Sequence, residues 1–74
     1  PASTNGVDED RAFSIALEHA GLTEADVRAK RIETDRERHG IEYEIEFRAG
    51  GYEYEYTIDA ATGEILSFER DRDD

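Results

Sequence analysis

From Ile41 to Asp59 apolar and polar residues alternate, interrupted only around Ala49-Gly50-Gly51. Ile41, Tyr43, Ile45 and Phe47 share one parity, and Glu42, Glu44, Glu46 and Arg48 share the other. After the glycines, Tyr52, Tyr54, Tyr56 and Ile58 oppose Glu53, Glu55, Thr57 and Asp59. A period of two places successive side chains on opposite faces of a strand. Both glycines tolerate positive φ, which a two-residue hairpin loop requires. With that loop, Phe47 faces Tyr54 and Ile45 faces Tyr56. A loop at Ala49-Gly50 shifts the pairs and leaves the faces unchanged. Either way the hairpin has one apolar face that must be covered and one acidic face.

Composition alone points the other way. Leu, Ile, Val and Phe make up 14 of 74 residues. That sits just under the roughly 20% which, with high net charge, marks disordered chains. The charge is -11, from 20 acidic against 9 basic side chains. Placement decides the question. Across Ile41 to Asp59, six carboxylates stand against one Arg, all on the polar parity of an unbroken pattern. The acids mark a fold and do not prevent one.

The same charge excludes several functions. A pI near 4.4 disfavours nucleic acid and anionic membrane surfaces, both of which are polyanions. No cysteine means no disulfide, no thiolate zinc site and no thiol nucleophile. No apolar run approaches the roughly 18 residues that span a bilayer, so no insertion is expected from this segment. The chain begins with Pro and contains no Met, as a processed or excised piece of a longer protein does.

Residues 1–7 read as a flexible lead-in. Asp8 to Ala20 reads as an amphipathic helix. Asp8 can cap it, Glu9 and Asp10 suit its dipole, and Ala12, Phe13, Ala16, Leu17 and Ala20 form one face. Gly21 suits the left-handed stop, with Leu22 folding back. Thr23 and Asp26 resemble a capping box around a single turn. Val27 to Thr34 reads as a first strand, with a phase slip near Lys30 or Arg31 that predicts a bulge. Asp35 to Gly40 reads as a polar turn, and Asp59 to Gly63 as a tight connection in which Asp59 bonds nearby amides. Glu64 to Arg70 reads as a fourth strand, with Leu66 and Phe68 on the apolar face. The four tyrosines are expected near sheet edges or ends, where hydroxyls reach water. Residues 71–74 read as a charged tail. The expected architecture is α+β over residues 8–70: one amphipathic helix packed on a four-stranded antiparallel meander sheet.

Several segments together resemble the PepSY domain. They are Tyr43-Glu-Ile-Glu-Phe47, Gly51-Tyr-Glu-Tyr-Glu-Tyr56, and Ile58-Asp-Ala-Ala-Thr-Gly-Glu-Ile-Leu66. The helix segment Ala16-Leu-Glu-His-Ala-Gly-Leu-Thr-Glu-Ala-Asp-Val27 is similar to the start of many members. The resemblance covers about residues 10 to 69. Ala29 departs from it, standing where members often carry a larger apolar residue. The resemblance implies a helix on an antiparallel sheet in an extracytoplasmic bacterial setting, secreted or held at the cell envelope by a segment outside this chain. It also implies a non-catalytic role. PepSY domains occur in propeptides of thermolysin-type metallopeptidases and in envelope proteins, so the expected partner is a protein, a peptidase on the family pattern. No catalytic residue carries over.

The residues support the same absence of catalysis. The serines are Ser3, Ser14 and Ser67, and the histidines are His19 and His39. Ser14 and His19 stand five apart on a helix and do not face each other. No cofactor is expected, and the two histidines share no transition-metal spacing. The candidate binding surface is the acidic face, Glu42, Glu44, Glu46, Glu53, Glu55 and Asp59. Three roles stay open for it: a solvated face, a site for calcium or another hard cation, and a dock for a basic partner. The edge strands can accept a strand from a partner or be protected by Lys30, Arg31, Glu69 and Arg70. The leading reading is a binding module that inhibits or regulates a secreted peptidase. A hard-cation binding domain and a structural spacer are the alternatives. A monomer and a weak homo-oligomer fit equally.

Overall fold

The computed structural model describes residues 6–72. Residues 1–5 of the expected lead-in and 73–74 of the expected tail lie outside them.

Helix α1 spans Glu9–Ala20, and a single 3-10 turn spans Glu24–Asp26. Four strands follow: β1 Arg28–Glu37, β2 Gly40–Ala49, β3 Tyr52–Asp59 and β4 Ile65–Arg72. They form one antiparallel meander in the order β1-β2-β3-β4. The α+β reading is borne out.

Local chemistry sets the boundaries. Asp8 caps α1 by accepting a hydrogen bond from the Arg11 amide at 2.8 Å. Gly21 ends α1 at φ 75°, and the Leu22 amide donates back to the Leu17 carbonyl at 3.0 Å. Asp26 accepts from the Thr23 amide at 2.9 Å, closing the capping box. Gly50 and Gly51, at φ 59° and 84°, make the hairpin loop. Phe47 pairs with Tyr54 and Ile45 with Tyr56.

The helix covers one sheet face. Ala12, Phe13, Ala16 and Leu17 bury against Ile45, Phe47, Ala49, Tyr54, Tyr56 and Ile58. The Phe13 and Phe47 rings meet edge to face at 5.9 Å. The helix runs diagonally. Its first turn reaches β1, where Thr34 donates to Glu9 at 3.0 Å. Its last turn reaches β4, where the His19 ring lies 4.9 Å from that of Phe68.

Five expectations need correction. Val7 is docked: its amide donates to the Ala60 carbonyl at 2.8 Å, and its own carbonyl accepts from the Tyr43 hydroxyl at 2.9 Å. The Asp35–Gly40 segment is mostly strand, since Asp35 pairs with Glu42 and Glu37 with Gly40. Only Arg38 and His39 turn. β4 runs on to Arg72, so Asp71 and Arg72 pair with Glu53 and Tyr52 instead of forming a tail. Thr57 pairs with Ser67 and Ile58 with Ile65, which leaves Leu66 as an extra, bulged residue. Ile65 therefore takes the place beside Ile58, and Leu66 stays 43% exposed. Finally, Tyr54 and Tyr56 are core residues, 6% and 2% exposed. The Tyr56 hydroxyl finds its partner in the His19 Nδ1 at 2.9 Å.

The expected bulge in β1 is present, as a register shift between Arg28 and Arg31. Ala29 sits there at φ 57°, a left-handed conformation.

Candidate functional site

A four-stranded sheet with one helix leaves one face uncovered. Directly paired residues project to the same side of a sheet, so the register fixes what lines that face. One row across it is Asp35, Glu42 and Asp59. The next is Glu33, Glu44, Thr57 and Ser67. A third is Arg31, Glu46, Glu55 and Glu69. The last is Arg28, Arg48, Glu53 and Asp71. All six sequence-predicted residues, Glu42, Glu44, Glu46, Glu53, Glu55 and Asp59, share this face.

They do not act as one set. Asp59 is committed to its turn: its carboxylate accepts from the Ala61 amide at 2.8 Å. Glu42 is half-buried and meets His39 Nε2 at 2.6 Å. Glu46, Glu53 and Glu55 converge, with a carboxylate oxygen from each lying within 4.8 Å of the others. Glu44 stands apart from these three and leans towards β1.

Five acids of this face come from the edge strands and are not among the six: Glu33, Asp35, Glu37, Glu69 and Asp71. The available signal is parity. Glu33 and Asp35 alternate with Ile32 and Thr34, and Glu69 and Asp71 alternate with Phe68 and Arg70. Ending the strands at Thr34 and Arg70 left Asp35, Glu37 and Asp71 outside them.

Electrostatics follow from this crowding. Glu44 shares a hydrogen bond with Asp35 and feels its charge, and these raise its pKa to about 7, with smaller contributions from lost hydration, Glu33 and Glu42. Two carboxyl groups can share such a bond only when one holds a proton. Glu55 is also raised, first by lost hydration and then by Glu46, Glu69, Glu53 and Asp71. Positive charge collects towards β1. Arg31 reaches Glu33 at 2.5 Å, and this bond raises the guanidinium pKa further. The β3–β4 side carries Glu53, Glu55, Glu69 and Asp71, with Glu46 adjoining.

The histidines have structural partners. His39 bonds Glu42, and His19 holds Tyr56 and packs on Phe68. Burial pushes the Tyr56 hydroxyl up to about 12, so it remains neutral. No helix among the described residues is long and apolar enough to cross a membrane.

The fold and this surface define a small α+β domain with one covered face and one open, acidic face. The chain belongs to the PepSY family: the family described as "Peptidase propeptide and YPEB domain" matches residues 6–69. It is also 48% identical, over 58 residues, to the uncharacterized protein Spy1430 of Streptococcus pyogenes serotype M6. That alignment covers 78% of this chain and 45% of the relative, so the chain spans less than half of the relative's length. No solved structure matches significantly.

Proposed function

We propose that this domain is a non-catalytic, extracytoplasmic module that regulates a secreted peptidase by binding it. The family match carries this reading, because it spans the helix and nearly the whole sheet and names a peptidase-propeptide family. The open acidic face supports it, since this is a large surface that covers no core. A binder needs no activated nucleophile, and control then comes from occupancy of the partner. The test is to add the purified domain to the secreted peptidases of the same genome. Saturable slowing of hydrolysis and a complex on gel filtration are expected. Unchanged rates and no complex with every enzyme would sink the reading.

A second reading is favoured by the convergence of Glu46, Glu53 and Glu55. Carboxylate oxygens suit a hard cation such as calcium, and a cation would relieve the crowding. Calcium titration followed by amide NMR decides it. Saturating shifts at Glu46, Glu53 and Glu55 support cation binding, and unmoved amides end it.

A further inference from the structure

The two edges of the sheet are not equivalent. Every edge strand presents unpaired backbone N–H and C=O groups that can template another strand. β1 is blunted along its length. It carries the bulge at Ala29, Lys30 turned over the Phe13 ring at 4.5 Å, and Thr34 tied to Glu9 of the helix. Its open-face charges are partly neutralised by the Arg31–Glu33 pair. β4 differs. Its bulge falls at Leu66, near the start, and Ser67 to Arg72 pair regularly with β3 on the inner side. Among the described residues no strand pairs with its outer side.

The side chains along β4 say what would fit there. On the open face, Ser67, Glu69 and Asp71 form its outer row, backed by Glu55 and Glu53. Glu69 pairs directly with Glu55, an unfavourable like-charge contact. On the helix side Phe68 is 42% exposed, and Leu66 at the bulge is 43% exposed. Arg70 does not block that side, because its guanidinium is held 4.7 Å over the Tyr52 ring.

We propose that the β4 edge receives an extended segment of a partner protein in which basic and apolar residues alternate. Its Lys or Arg side chains extend the acidic face beside Glu69 and Asp71, and its apolar side chains cover Phe68. Backbone pairing supplies affinity, and the alternation supplies specificity. A second copy of this domain does not fit. Two β4 strands paired edge to edge would bring the Glu69 and Asp71 rows of two chains together, each chain carrying a charge of -11. This inference deepens the regulatory reading and rests on the domain being a protein binder.

The test uses an eight-residue peptide of alternating lysine and valine, matched to the eight residues of β4. Titrating it into the domain at low salt should shift amides from Leu66 to Arg72 and slow their hydrogen exchange. The same peptide N-methylated at alternate positions keeps its charge and cannot pair, so it should not bind. Glu69→Lys together with Asp71→Lys should weaken binding about tenfold, since two opposite-charge cross-strand pairs become like-charge pairs. Glu33→Lys on β1 should leave it unchanged. Equal binding by the N-methylated peptide, shifts centred on β1, or no binding at all would overturn the proposal. A dimer formed through β4 without peptide would replace the partner with a second copy. Peptide binding that persists while every peptidase is unaffected sinks the peptidase reading alone. Peptidase inhibition without peptide binding sinks the edge proposal alone.

Discussion

Tyr56 lies in the middle of β3 with only 2% of its surface exposed, yet its hydroxyl is satisfied. The partner, His19, comes from the last turn of α1 and is 37 residues away in sequence. Parity alone assigns Tyr56 to the apolar face, but no local signal names its partner. Tyr56→Phe should lose about 1 kcal/mol in urea unfolding, the usual net worth of one hydrogen bond. An unchanged midpoint would mean that the bond contributes nothing. Glu44 is the corresponding case on the open face. Its carboxyl should titrate near 7 by carbon-detected NMR, and Asp35→Asn should bring it down towards the ordinary value of 4.5 by removing the carboxyl-to-carboxyl hydrogen bond and the Asp35 charge. A wild-type value already near 4.5 would show that the two carboxyls do not share a proton.

The two faces of the β2–β3 hairpin were legible, because a period of two survives either loop placement; of the two registers left open, the one with Gly50-Gly51 as the loop is formed. The limits of the other strands were not legible. Asp35 to Glu37 read as turn because strand residues on an open polar face look like loop residues. Ile65 and Leu66 are both apolar, so the sequence could not say which faces inward. The bulge assigns that position to Ile65, leaving Leu66 exposed. All six proposed site residues do share one face, while Asp35, Glu37 and Asp71 were lost with those strand ends. The β1 bulge was legible as a phase slip, but its cost was not. Ala29 holds a left-handed φ of 57°, which costs a residue with a Cβ about 1–2 kcal/mol. Ala29→Gly should therefore stabilise the domain by up to about 1 kcal/mol after the entropy cost of glycine. Thermal unfolding checks this, and a lower midpoint would contradict it.

At the scale of the whole molecule, charge is sorted by the fold. The face under the helix holds the core, and among the described residues the open face gathers eleven acids, Glu37 at its end included, against Arg28, Arg31 and Arg48. On that face the hydrogen bond and charge of Asp35 raise Glu44, and lost hydration followed by the neighbouring acids raises Glu55. The sign of the consequence is fixed. A carboxyl with a raised folded-state pKa binds more protons folded than unfolded, so its repulsion opposes folding above the folded value and is relieved as pH falls. For Glu44 the window runs from about 7 down to the ordinary 4.5. A cation layer or a basic strand would relieve the same repulsion, which links stability to binding. Thermal unfolding of wild type and Glu44→Gln between pH 8 and pH 5 is the most direct measurement. The wild-type midpoint should rise as pH falls, and the variant should be more stable at pH 8 and converge with wild type by pH 5. A wild-type midpoint that falls steadily with pH, with the variant no more stable at pH 8, would contradict a fold that holds its acids crowded on one open face.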